Sequence, residues 1–183
     1  MRWPRHVCES RHNACVDVRA LLASAPATLR HSTARPDPEY TLADDLIATH
    51  GAQPGDGAAL SHEGGSIAIE PAAAGAHDVR DAAVLGPVYR AAHGGAVAVP
   101  TGRALVRFGD DDEAEHHRDE LAAAGFDLEQ PLSYAPQSAW VRASSGLITD
   151  TLCGLASLER LPGVQHVEPQ LITEAARRPE VTT

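Results

Sequence analysis

The sequence predicts an α+β fold between Arg103 and Leu171, a four-stranded antiparallel sheet carrying two helices in the order βαββαβ. Three observations support this. Residues 103–108, 126–134, 137–143 and 164–169 are short runs of apolar, β-branched and aromatic residues of the kind that form strands. Residues 113–124 and 149–161 are built from good helix formers and separate the first strand from the second and the third from the fourth. Gly125, Ala135-Pro136 and Leu161-Pro162-Gly163 punctuate the junctions. This order is the split βαβ pattern of a ferredoxin-like sandwich.

Each element has a local reason. In 103–108 the apolar residues Leu105, Val106 and Phe108 are interleaved with Arg103 and Arg107. Asp110, Asp111 and Asp112 follow, where the start of a helix favours negative charge. From Glu113 to Ala124 there is no proline, and Gly125 ends the helix. The third strand brings Ala139, Trp140 and Val141 after the Ala135-Pro136 turn. Leu152, Leu155, Leu158 and Leu161 recur every three residues, so their stripe drifts round the second helix but stays broadly on one side. The Pro162-Gly163 stop then leads into the last strand.

Upstream, residues 41–102 read as an N-terminal α/β addition that packs on this core or extends its sheet. Thr41 caps a short helix over 41–50 with Leu42, Leu46 and Ile47 on one face. A Gly/Pro/Asp-rich loop spans 51–65, and a strand at 66–70 puts Ile67 and Ile69 on the same side. A helix at 77–83 and strands at 83–90 and 96–99 complete the addition. Pro87 argues for an edge position of its strand. Residues 1–40 contain Pro4, Pro26, Pro36 and Pro38 and show no clear period beyond a short helix across 16–23. They read as a disordered or weakly structured extension, and residues 173–183 as a C-terminal tail.

A chain of 183 residues holds one ordinary domain with an extension. Its formal net charge is −10, made of +2 in residues 1–40 and −12 in the remainder, and every basic residue is Arg. An acidic body of this kind lacks the basic stripe that phosphate backbones require, so nucleic acid is not an expected partner. No apolar run is long enough to span a bilayer, and no apolar stretch follows the first Arg residues as in a signal peptide. The default expectation is therefore a cytoplasmic chain with no membrane partner. Cys8, Cys15 and Cys153 are odd in number and form no disulfide framework; Cys153 reads as a small buried hydrophobe.

Several phrases of the core resemble a known family. These are Ala104-Leu105-Val106-Arg107-Phe108, Leu121-Ala122-Ala123-Ala124-Gly125, Leu132-Ser133-Tyr134-Ala135-Pro136, Leu161-Pro162-Gly163-Val164 and Val167-Glu168-Pro169. In their order and spacing they resemble the N-terminal prodomain of subtilisin-like serine proteases, in its fervidolysin-type version. The resemblance implies a protein that binds such a protease, inhibiting it or acting as an intramolecular chaperone for its folding. It further implies that one sheet face presses on the enzyme, with Tyr134 or Trp140 as anchor. The segment from Gln170 onward would lie extended in the substrate cleft as an added strand. Leu171 and Ile172 would fill pockets, Thr173 and Glu174 would continue the segment, and Ala175 and Ala176 would pass a narrow cleft. Acids such as Glu168 and Glu174 at the sheet's edge would cap partner helices. Trp140 also has a simpler reading, as a core or sheet-face aromatic.

The chemistry of such a protease is missing from the sequence. Its Asp-Thr-Gly-like, His-Gly-Thr and Gly-Thr-Ser-Met-Ala stretches do not occur, and Ser144-Ser145-Gly146 lacks the flanking residues of a nucleophile elbow. The expectation is a non-enzymatic protein without cofactor, monomeric when free, whose protease partner is supplied in trans or by a split gene. The alternative is a protein-interaction or small-ligand module with no protease link. Glu113, Glu115, His116, His117, Asp119 and Glu120 form the densest set of metal-ligating residue types. They read as a solvated helix face, with a carboxylate–imidazole metal site as the alternative; neighbouring histidines on a helix point about 100° apart and do not easily share an ion.

Overall fold

A computed structural model describes residues 16–32, 39–52, 58–62, 65–72, 84–92 and 96–173. Its elements are α1 (Val18–Ser24), β1 (Thr28–Arg30), β2 (Glu39–Ala52), β3 (Ala58–His62), β4 (Gly65–Pro71), β5 (Leu85–Ala91) and β6 (Val97–Arg107). A 3-10 turn at Ala114–His117 then runs into α2 (Arg118–Ala123), followed by β7 (Phe126–Leu132), β8 (Ala135–Ala143), α3 (Ile148–Leu158) and β9 (His166–Thr173). All nine strands belong to one antiparallel sheet with the path β3-β4-β2-β5-β6-β8-β7, in which β1 also pairs with β2 and β9 with β6.

This overturns the expected four-stranded ferredoxin-like sandwich. The elements of 103–172 follow one another as anticipated, but their strands form no sheet of their own. The reason lies in β6, which runs unbroken from Val97 to Arg107 through Pro100-Thr101-Gly102, the turn signal at which the sequence reading divided it. Its first part pairs with β5 at Ala98↔Tyr89 and its last part with β8 at Leu105↔Trp140. Strand β9 follows it along both parts, from Arg107↔His166 to Ala98↔Thr173, with a register shift between Pro100 and Ala104. The chain kinks here because Gly102 takes φ +82°, a conformation that L side chains rarely adopt.

Strand β2 replaces the helix expected at 41–50. It is laddered to β5 on one side and to β1 and then β4 on the other, so both edges of its backbone are satisfied in the sheet. A register shift between Leu42 and Ile47 puts both side chains on the helix-covered side, while Ala43, Leu46 and Ala48 point the opposite way. That irregular spacing imitates a helical period. Strand β3 lies within the segment read as a loop, and the helix expected at 77–83 falls outside the described residues. Strand β5 is interior, not at an edge. Pro87 is nevertheless accommodated, because the ladder to β6 involves only Tyr89 and Arg90, leaving Pro87 paired on the β2 side alone.

The N-terminal half of the sheet is buried on both faces. On the inner face Ala43, Ala48, Leu60, Ile67, Val88 and Val99 pack together with Ile172, and the sheet curls until β3 comes up against β9. The outer face is covered by α1, whose Val18 and Leu22 meet Ile47 and Leu85. Asp17 caps this helix by accepting from the N–H groups of Arg19 and Ala20. Residues 16–32 are thus part of the fold, although the sequence reading left them weakly structured beyond the short helix. The buried Tyr89 hydroxyl donates to the Pro26 carbonyl at 2.9 Å, fastening the turn after α1 to β5.

Helix α3 spans both halves of the sheet. Ile148 and Leu152 pack with Tyr40, Tyr89 and Ala98, whereas Leu158 joins Phe108, Leu121, Phe126, Val141 and Val167; Leu155 touches both groups. Thr151, fully buried in the middle, donates to the Gly102 carbonyl and accepts from the Ala143 N–H, both at 3.0 Å. The kink of β6, the end of β8 and the helix are thereby joined through one hydroxyl.

Candidate functional site

Along the C-terminal half the strands alternate cleanly. Ala104, Val106, Phe108, Ala139, Val141, Phe126, Leu128 and Val167 point toward the helices and are buried. Their neighbours Arg103, Leu105, Trp140, Arg142 and Glu168 therefore point to the opposite side, where all five are partly exposed. Glu129 sits between two guanidinium groups on this open face, accepting from Arg103 Nε and, at 2.8 Å, from Arg142 Nε. Arg103 also lies over the Trp140 ring, 5.8 Å from its centroid. The result is a charge-paired surface with one large aromatic in it.

Trp140 is accordingly an aromatic of the sheet face and not of the core. It is half-buried, between Ala139 and Val141 that face the helices. Tyr134 does not share its strand position; it stands in the β7–β8 turn and is 83% exposed, the one large exposed apolar side chain among the described residues. The two proposed anchors are thus at the middle and at one end of the same half-sheet.

The residues expected in a substrate cleft are placed differently. Gln170, Leu171, Ile172 and Thr173 belong to β9 and pair with the first part of β6. Gln170 accepts from the Thr101 hydroxyl at 2.7 Å, Leu171 packs in the group beneath α3, and Ile172 packs on the inner face. Leu171 and Ile172 are therefore committed to this protein's own interior. Glu174, Ala175 and Ala176 fall outside the described residues. Glu168 contacts His31 Nε2 at 3.0 Å and His166 Nε2 at 3.3 Å, while Ser32 lies 3.1 Å from His166. These contacts hold the segment after β1 to β9, a link with no signal in the sequence.

The acidic segment after β6 carries a second local arrangement. His116 is exposed, 3.9 Å from Glu113, whereas His117 turns inward, stacks on Phe108 and lies between Asp112 and Glu120. The two imidazoles diverge, and among the described residues no group of three His, Cys, Asp or Glu is arranged to hold a metal ion.

A cavity of about 690 Å³ opens between β1, α3 and β9. Leu29, Leu152, Leu155 and Val167 supply its apolar wall, with Arg30, Glu159 and Cys153 at its margin. Cys153 is exposed there and donates to the Ser24 carbonyl at 3.1 Å, contrary to its reading as a buried hydrophobe. It follows Leu152 by one position, which turns it about 100° away from the packed side of α3. Partial burial of the sulfur raises its thiol pKa, so it is held as the poorly nucleophilic thiol.

Among the described residues no helix is long and apolar enough to cross a membrane. Comparison of the chain with protein-family models, with curated proteins and with solved structures finds no match.

Proposed function

We propose that this protein is a non-enzymatic docking module that binds a subtilisin-like serine protease, inhibiting it or assisting its folding. The carrying observation is the open face of β6, β7, β8 and β9, where Trp140 lies under Arg103 beside Leu105 while the opposite face is sealed by helices. An aromatic ringed by paired charges has the composition of an interface centre, in which a few desolvated anchors contribute most of the binding energy. Under this reading the cleft-entering segment starts after Thr173, because Gln170 to Thr173 are engaged in β9. Binding of the folded protease alone would both block its cleft and favour its folded state.

The test uses the full chain, several purified subtilisin-type proteases and a chromogenic peptide. Inhibition is expected, and Trp140→Ala should weaken it by about 30-fold, the effect of losing an interface anchor. Removal of residues 174–183 should weaken it as well. Absence of both inhibition and complex with every enzyme tried would refute the proposal.

The cavity between β1, α3 and β9 favours a second reading, a small-ligand module with no protease link. Its volume lies in the range of ligand sites. Binding by such a module would be indifferent to removal of 174–183 and to Trp140→Ala.

A further inference from the structure

We propose that His117 is a proton-operated fastener for the acidic end of the C-terminal half. Its ring lies flat on Phe108, with centroids 4.0 Å apart and planes inclined by 3°. Nε2 is 2.7 Å from the Asp112 carboxylate, Nδ1 is hydrogen-bonded to the Glu120 carboxylate, and the side chain is only 13% exposed. A carboxylate accepts but does not donate, and a neutral imidazole has a single N–H. Only the imidazolium satisfies both contacts; the neutral ring must turn a lone pair toward one of the carboxylates.

The pair of contacts ties together parts of the chain that share no regular ladder. Asp112 lies in the loop after β6, His117 ends the 3-10 turn, and Glu120 is in the first turn of α2. The turn before β9 packs on the same cluster: a Cβ on Gly163 would come within 3.4 Å of Asp112, 3.6 Å of Phe108 and 3.7 Å of His117. The other charges on these elements are Asp110 with Arg107, Asp111, Glu113 with His116, Glu115 with Arg118, and Asp119. The turn at 161–163 brings no charge. Burial disfavours the charged ring, but the hydrogen bonds to Glu120 and Asp112 outweigh it and raise the His117 pKa above its ordinary value.

The direction of the switch follows from that raised value. The folded state holds the proton more tightly than the unfolded chain, so the contribution is complete below the unfolded imidazole pKa. It is lost as pH rises through the raised folded value. The end of the domain is therefore fastened below that raised value and loosened above it. Acid strong enough to protonate the carboxylates removes it too.

Two measurements on the full chain test this. In an NMR titration of the histidine rings, His117 is expected to titrate above the ordinary value of about 6.5. Glu120→Gln, at a half-exposed position, should lower its midpoint. In amide exchange corrected for intrinsic rates, residues 110–123 should open severalfold more on the alkaline side of that midpoint than on the acid side. Strands β5 and β6 serve as the internal reference. A His117 midpoint at or below the ordinary value, or equal protection of 110–123 on both sides of it, overturns the proposal.

Discussion

Thr151→Val lowers the unfolding free energy by about 3 kcal/mol, although valine matches threonine in shape. The cost comes from the two groups left behind. The Gly102 carbonyl loses its donor and the Ala143 N–H loses its acceptor, and both residues are buried under α3. Each unsatisfied buried group costs about 1–3 kcal/mol. Thr151→Ser keeps the hydroxyl and removes one methyl, so it should cost about 1 kcal/mol. Urea unfolding of the two variants separates the contributions. A valine variant within about 1 kcal/mol of the parent would mean that the hydroxyl is not the link between β6, β8 and α3.

Gly154→Ala is expected to destabilise by about 1–2 kcal/mol, against the usual direction for a helix. Alanine in place of glycine within a helix ordinarily gains about 1 kcal/mol. Here a Cβ would stand 2.4 Å from Phe126 Cζ and 3.0 Å from Cε2, and Phe126 is itself 3% exposed, so its ring has little room to yield. Overpacking of this kind costs about 1–3 kcal/mol and outweighs the propensity gain. Phe126→Leu opens space at the same point. The double variant should therefore be more stable than the sum of the single changes predicts, with a coupling of about 1 kcal/mol measured by thermal unfolding. Strict additivity would place the ring elsewhere than against Gly154.

What could be read from the sequence was what depends on near neighbours. Gly125 and Pro162-Gly163 stop elements locally, so the ends of α2 and α3 and the start of β7 fall near their expected limits. Ala135-Pro136, read as a turn, instead opens β8, and the turn itself is Ser133-Tyr134. What depends on distant partners could not be read. Nothing near Thr173 announces that it pairs with Ala98, and without that partner the stretch after Pro169 resembles a free tail. In the same way, Leu42, Leu46 and Ile47 carry a helical spacing only because the pairing of β2 is irregular between Leu42 and Ile47. Of the candidate binding residues, Trp140 and Tyr134 remain available on the open side and in its turn, while Gln170, Leu171 and Ile172 are absorbed by the sheet. The inward turn of His117 had a faint signal, an Asp five residues before it and a Glu three after. Its seat on Phe108 had none.

Because one strand serves two sets of neighbours, the junction at Gly102-Arg103 is no place to divide the fold. A fragment starting at Arg103 would strip Leu171 and Ile172 of the residues they lie against, and a fragment ending at Gly102 would lose the rung that closes its curl. The chain should accordingly melt in a single cooperative step, with both halves losing their resistance to a protease at the same denaturant concentration.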